Sequence, residues 1–570
     1  MKRHNLCIIF LLPLILISLP HCRQQNLGAI LQREIPKLME VANIQGLSMA
    51  VIRDGEIIWS GNFGVRSRET NELVDENTIF EAASLTKTVT AVAALKLVER
   101  GEIDLDKPLA EYLPYPKLAR DERYKKITAR HVLTHTTGLP NWGTRLIREP
   151  GELYGYSGEG FLYLGRTIEK ITGMSLQEFT KKEIFEPLGM ARTSYVWNNL
   201  YDENGASGHD RHGFANQKRK RTEPNGGASL LTTALDYAAF LCSIMNNQVL
   251  EPRTIDLMLT PHVRAAKRRD PKDELDEYVS WGFGWGIQPG NKENGFWHWG
   301  DNGDLRAYTV SYGERKEGLV FFANSENLFL IAEPLISLVL DDPQHSFNWL
   351  TYKRIDDPER VARMAVEKTF LEEGKKAGLK KTEEMKNQFP EMFEITDLNI
   401  IARYLASREK ADEAEAILKW IIDSDPKSVI AWAGLGRLYF ETGRNKESFE
   451  HLQKTLEWSP KNSYAKMTIP WIKDLIQVEE NPVLVSEATL KKYAGDYGPR
   501  HVYLREGRLY YQRDGRKEYK LIPLNQDTFA LVGYGVFRLR FILDKSGNVT
   551  KVMGVYLGGR TDESLRNKTE

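Results

Sequence analysis

The chain of 570 residues has only three cysteines, Cys7, Cys22 and Cys242. So few thiols exclude a disulfide framework and any Cys/His zinc cluster. An excess of one charge is also missing: 78 Lys+Arg balance 78 Asp+Glu, for a formal net charge of zero. Without a global positive field there is nothing to hold nucleic acid by counterion release. The basic run Lys218-Arg219-Lys220-Arg221 sits in a polar stretch and reads as a solvated loop. The mainly apolar run from Leu6 to Leu19 contains Pro13 and, at 14 residues, is too short to span a bilayer. Neither a GxGxxG stretch in βαβ context nor an HExxH is present, so no cofactor and no metal is implied. What is there is enough apolar sequence for packed cores: 41% hydrophobic against 27% charged, which rules out global disorder. At about 150 residues per domain the length predicts three to four domains.

Lys2, Arg3 and His4 precede the apolar run, the pattern of a secretory leader over residues 1–22. Leu19-Pro20-His21-Cys22 resembles a bacterial lipoprotein box, with His21 where a small residue is usual. The protein is therefore expected to be exported, as a periplasmic or secreted protein or as an envelope lipoprotein anchored at Cys22.

Residues 27–345 have mixed patterning. Leu47–Ile52 and Glu56–Gly61 read as strands joined at Asp54-Gly55, a hairpin signal. Ser84 to Arg100 reads as a helix closed by Gly101. Trp297–Trp299, Ala307–Tyr312 and Leu319–Ala323 read as strands, and Asn327–Leu340 as a closing helix. Strands at both ends with helices between predict one antiparallel sheet built from the two chain ends and flanked by helices. Residues 346–395 read as a helical connector. Residues 396–475 carry a 34-residue self-similarity, Asp425-Pro426 returning as Ser459-Pro460. Trp432, Leu435-Gly436, Tyr439 and Gly443 resemble the tetratricopeptide pattern, so this segment is expected to be a helical spacer or to hold a peptide partner. Residues 485–562 alternate short β-rich runs with Gly, Asp and Asn turns and predict a small barrel or sandwich.

The candidate nucleophile is Ser84, in Ser84-Leu85-Thr86-Lys87. A spacing of three puts Lys87 on the same helix face as the Ser84 hydroxyl. A lysine can take the serine proton once burial or another cation lowers its pKa. The spacing recurs at Ser407…Lys410, Ser424…Lys427 and Ser463…Lys466, in the polar helical region. Ser84 differs because Val89, Val92, Ala93, Leu95, Leu97 and Val98 follow it and predict a buried helix. The plainer alternative makes Ser84 a helix cap with Lys87 reaching to solvent.

Further motifs are Gly155-Tyr156-Ser157-Gly158 and His298-Trp299-Gly300. With Phe80–Lys87, Leu95–Gly101, Ile127–Leu139 and Gly226–Asp236, they make residues 30–345 resemble the class C β-lactamase and penicillin-binding serine hydrolase family. The resemblance implies that Ser84 is acylated and that Lys87 and Tyr156 share the general-base work, Tyr156 also protonating the leaving group. It implies an oxyanion hole from the N–H groups of Ser84 and Asp301, with His298, Trp299 and Gly300 lining the substrate strand. His298 is expected to donate a hydrogen bond to substrate. The family often has Asn where this chain has Gly158, a side chain that binds the substrate amide, so esters are expected to be better substrates than β-lactams. If Gly158 has φ > 0, asparagine is among its least costly replacements. Tyr154 reads as lining the site or packing, His135 as a hydrogen-bonded core residue, and Trp142 has no assigned role. The expected activity is acyl transfer to Ser84 on esters, peptides including D-amino-acid peptides, or β-lactams. The alternative is an inactive cell-wall-binding scaffold that uses the repeats to recruit a partner.

Overall fold

The computed structural model describes residues 20–266, 278–390, 394–514 and 516–567. The expected leader falls mostly on residues 1–19, outside the described residues. Two compact units divide the chain, Met1–Ile355 and Asp356–Glu570.

The first unit is built on an eight-stranded antiparallel sheet. In chain order its strands are β1 (Gly46–Arg53) and β2 (Glu56–Gly64), then, after a short separate pair β3 (Phe80–Ala83) and β4 (Leu230–Thr232), β5 (Val263–Arg264), β6 (Ser280–Trp281), β7 (Gly286–Pro289), β8 (Asn294–Asp301), β9 (Arg306–Tyr312) and β10 (Glu317–Ala323). The spatial order is β2-β1-β10-β9-β8-β7-β6-β5. The two chain ends meet at β1 and β10, in register Leu47↔Ala323 to Ile52↔Gly318. Asp54 and Gly55 both take left-handed φ, 54° and 76°, as a tight two-residue hairpin requires.

Alternation along these strands sends side chains to two cores. Leu47, Met49 and Val51 on β1, with Leu319 and Phe321 on β10, face helix α1 (Pro20–Ala42) and the closing segments around Leu335 and Phe347. Ala50, Ile52, Val320 and Phe322 face the central helices, among them α2 (Thr86–Glu99). Helix α2 starts two residues later than expected, because Ala83 is left-handed (φ 47°) and Ser84-Leu85 form the turn into it. Gly101 closes it at φ 71°, its N–H on the Val98 carbonyl at 3.0 Å. The expected closing helix is shorter, Ala332–Ser337, after a 3₁₀ turn at Leu328–Leu330.

The first unit also runs past the expected boundary at 345. Phe347 and Trp349 are buried in its second core, and the Tyr352 hydroxyl donates to Asp301 at 2.6 Å.

In the second unit, Ile395–Ser407 with Ala411–Ser424 and Val429–Glu441 with Asn445–Trp458 form successive helical hairpins, followed by Ser463–Glu480. Gly436 lets the second pair close up: a Cβ there would stand 2.5 Å from Leu452 Cδ2. Eight antiparallel strands from Gly495–Tyr497 to Thr561–Leu565 follow as a meander. Asn567 N–H on the Asp496 carbonyl at 2.8 Å draws the last strand toward the first and nearly closes the barrel. Of these eight strands, the two outer ones were not legible in the sequence. Thr561–Leu565 is polar and half exposed, as an edge strand is when charge protects it.

Candidate active site

Ser84 sits where β3 turns into α2. The left-handed Ala83 before it costs an alanine about 1–2 kcal/mol. The Thr86 hydroxyl holds the turn, donating to the Ala83 carbonyl and accepting from Leu230 N–H at 3.0 Å. Ser84 is not the helix cap: Leu85 holds that position, with no side-chain cap bond. Lys87 does not reach solvent either, being 0% exposed. Its Nζ lies 2.9 Å from Ser84 Oγ and donates to the Gly227 carbonyl at 2.7 Å. Burial brings its pKa down to about 7. A lysine with that pKa is uncharged in a large fraction of molecules at neutral pH and can accept a proton.

Tyr156 approaches from the loop before the helix Gly158–Thr172, its ring 4.8 Å from Lys87 Nζ. Its hydroxyl is buried and has no hydrogen-bond partner within bonding geometry. Burial raises the phenol pKa by more than the neighbouring Ser84 hydroxyl lowers it. Burial therefore favours the neutral phenol in the free protein, the form that can protonate a leaving group.

His298 is 0% exposed on β8. Its Nδ1 is 2.8 Å from the Trp299 carbonyl. A carbonyl only accepts, so Nδ1 carries the proton and Nε2 carries a lone pair. Burial first, then Lys87, pushes the imidazole down to about 3. His298 thus presents an acceptor, and its expected role as a donor to substrate is corrected. Trp297 is core, whereas Trp299 is half-buried with its ring 4.7 Å from Tyr156, so Trp299 is the wall residue. His135 is a buried, hydrogen-bonded residue as expected, Nδ1 accepting from Ser157 N–H at 3.0 Å, but its ring also lies 4.3 Å from that of Tyr156 and supports it. Tyr154 packs on His135, Trp281 and Trp349.

Gly300 brings β8 against β3. A Cβ at 300 would stand 2.3 Å from the Ala82 carbonyl oxygen. Asp301 follows Gly300 on β8, and Ser84 lies two residues after Ala82, in the turn that leaves β3, so both expected oxyanion donors are close in sequence to this contact. The Asp301 carboxylate is occupied by Gly303 N–H at 2.8 Å, Arg306 Nε at 3.1 Å and Tyr352. Strand β7 pairs β8 only as far as Trp297, which leaves His298–Asp301 without β7 as a neighbour.

Sequence reasoning missed three features. The basic run is not all solvated loop. Arg219 Nε donates to Glu81 at 2.9 Å and Nη2 to Asp304 at 2.6 Å, while Asn302 Nδ2 donates to Glu81 at 2.6 Å. These bonds tie β3, three residues before Ser84, to the β8–β9 turn just after Asp301. Second, the backbone carbonyl of Gly227 is the other acceptor for Lys87, and a carbonyl leaves no signal in residue type. Third, Gly158 opens a helix without a left-handed φ, and its missing side chain is displaced by Trp142: a Cβ there would stand 2.6 Å from Trp142 Cη2. The condition under which asparagine would be among the least costly replacements is thus not met, and a side chain at 158 enters only if the Trp142 indole moves aside. Among the described residues no group of His, Cys, Asp and Glu could hold a metal ion.

A Ser-x-x-Lys pair at the mouth of a central helix, its lysine buried and its serine partly exposed, with a tyrosine beside it and a sheet edge open next to it, is the arrangement of active-site-serine hydrolase folds. Within that class the chain belongs to the beta-lactamase family, whose model matches residues 31–338; a tetratricopeptide-repeat model matches residues 405–469. The chain is similar to Protein flp of Staphylococcus aureus (strain MRSA252), 24% identical over 33% of this chain and 42% of that protein. It is also similar to penicillin-binding protein 4* of Bacillus subtilis (strain 168), 26% identical over 53% of this chain and 73% of that protein. Esterase EstB of Burkholderia gladioli is 31% identical over 30% of this chain and 52% of the esterase. Among solved structures, a class C beta-lactamase aligns with a TM-score of 0.48 at 20% identity, over 56% of this chain and 98% of that one.

Proposed function

We propose that the protein is an exported serine hydrolase that works through an acyl-enzyme on Ser84. The reading rests on one observation above all: a fully buried Lys87, its pKa lowered to about 7, lies 2.9 Å from Ser84 Oγ. Neutral Lys87 takes the Ser84 proton as Oγ bonds to the substrate carbonyl carbon. The oxyanion is held by the Ser84 and Asp301 N–H groups. On collapse the bond to the leaving group breaks, and Tyr156, still protonated, gives it a proton. Lys87, now an ammonium, returns that proton to Tyr156. A water, losing its proton to the same groups, then cleaves the acyl ester and regenerates Ser84.

The substrates proposed are esters first, then peptides including D-amino-acid peptides, with β-lactams poorer. Neutral His298 offers no cation for a substrate carboxylate, and position 158 offers no side-chain amide. Export is proposed from Lys2-Arg3 and the apolar run that follows, with Cys22 as the candidate lipid site. The helical hairpins of the second unit are proposed to hold a peptide or protein partner. A panel of nitrophenyl esters, D-aminoacyl amides and a chromogenic cephalosporin, run on wild type and Ser84→Ala, tests the reading. Ester turnover abolished in Ser84→Ala supports it. A wild type that cleaves the cephalosporin faster than the activated esters overturns the substrate order.

A further inference from the structure

Trp142 is half exposed, yet it is held in place. Ser157 Oγ donates to the Pro140 carbonyl at 2.9 Å, Gly158 N–H to Asn141 Oδ1 at 3.0 Å and Glu159 N–H to the Asn141 carbonyl at 2.9 Å. The loop 140–142 is thus bolted to the first turn of helix Gly158–Thr172. Two glycines make room for the indole: a Cβ at Gly158 would meet Cη2 at 2.6 Å, and one at Gly227 would meet it at 3.3 Å. Gly227 is the residue whose carbonyl accepts from Lys87, and Lys87 Nζ is 5.9 Å from the indole centroid. The indole therefore stands beside the Ser84–Lys87 pair. No ring contact joins it to the Tyr156–Trp299 cluster among the described residues, so it forms a separate wall.

An indole left half in water forgoes apolar burial, which for a tryptophan is a large area. Here three hydrogen bonds and two glycines preserve that exposure at the place where a longer side chain at 158 would have projected.

We propose that Trp142 is a specificity-determining residue whose indole seats a planar apolar acyl group of an ester substrate, and that Asn141 positions it through Gly158 N–H. The proposal rests on the serine-hydrolase reading and deepens it. Tyr156, which protonates the leaving group, lies within the other aromatic wall, so the group facing Trp142 is the part that stays on Ser84. Burying a phenyl ring against an indole is worth enough to give roughly ten-fold selectivity or more.

The test compares p-nitrophenyl phenylacetate with p-nitrophenyl acetate, which share a leaving group. Wild type is expected to prefer the phenylacetate in kcat/KM. In Trp142→Ala the ratio should fall about ten-fold, chiefly through KM of the phenylacetate, and Trp142→Phe should restore most of it. Asn141→Ala should lower the ratio, and Asn141→Asp, which keeps an acceptor for Gly158 N–H, should lower it less. A ratio unchanged in both Trp142 variants overturns the proposal. Labelling of wild-type Ser84 by a fluorophosphonate separates the two readings. Labelling with an unchanged ratio removes the role of Trp142 alone, whereas no labelling of Ser84 removes the hydrolase reading itself.

Discussion

Lys87 carries a sign that can be measured. In the unfolded chain it keeps its proton to about pH 10, whereas in the fold it gives it up near 7. Between those values the unfolded state binds more protons, so this group's contribution to stability rises with pH from about 7 to about 10. The unfolding free energy of wild type minus that of Lys87→Met should therefore grow by about 3 kcal/mol between pH 7 and 9.5. A flat difference in denaturant titrations would show that the lysine is charged in the fold. Lys87→Arg keeps the charge and cannot accept the serine proton, so acylation should fall by orders of magnitude. Gly300 acts at the same scale. A methyl there collides with the Ala82 carbonyl and pushes β8 from β3. Gly300→Ala should lower kcat about 10²-fold, the loss of an aligned oxyanion donor, while far-UV circular dichroism stays that of wild type.

At the scale of elements, the span between β3 and the β8–β9 turn is set by Arg219 bridging Glu81 and Asp304. Both carboxylates are largely buried, so removing their partner leaves charge unpaired beside the proposed oxyanion donors. Arg219→Met should lower kcat about ten-fold or more with KM little changed, and Arg219→Lys should recover part of it. A fall confined to KM would place Arg219 in substrate binding instead. None of this was legible in the sequence: Arg219 lies in a basic run, and positions 81, 219 and 304 share no spacing that announces contact. The Asp54-Gly55 hairpin, the core of α2 and the strands around Trp297, Val310 and Phe321 were legible, because the hairpin has its turn pair, α2 is a long apolar run closed by Gly101, and the strands are short runs rich in β-branched and aromatic residues. Ser84, Lys87 and Tyr156 were legible as residue types in motifs. The tautomer of His298 and the place of Trp142 were not. The first depends on the carbonyl of the following residue and the second on two glycines, 158 and 227, far apart in the chain.

On the scale of the whole molecule, the first unit ends at Ile355 and not at 345. Patterning failed there because Phe347, Trp349 and Tyr352 lie in a short segment with neither a strand nor a long-helix period. A chain of residues 24–355 should fold and hydrolyse small esters, since all the proposed chemistry lies within it. One ending at 345 loses two buried aromatic side chains, each worth about 3–5 kcal/mol, and the Tyr352 bond to Asp301. It should be poorly soluble or melt well below the longer chain in a thermal scan. Equal melting temperatures would deny Phe347 and Trp349 their place in the core.

The most direct measurement is the site and pH dependence of covalent labelling. Wild type treated with a fluorophosphonate between pH 5 and 9 is followed by intact mass and peptide mapping. The adduct is expected on Ser84, at a rate that rises through an apparent pKa near 7 as Lys87 loses its proton, and to be absent in Ser84→Ala. An adduct on Ser407, Ser424 or Ser463, or a Ser84 rate indifferent to pH across that range, would contradict the account.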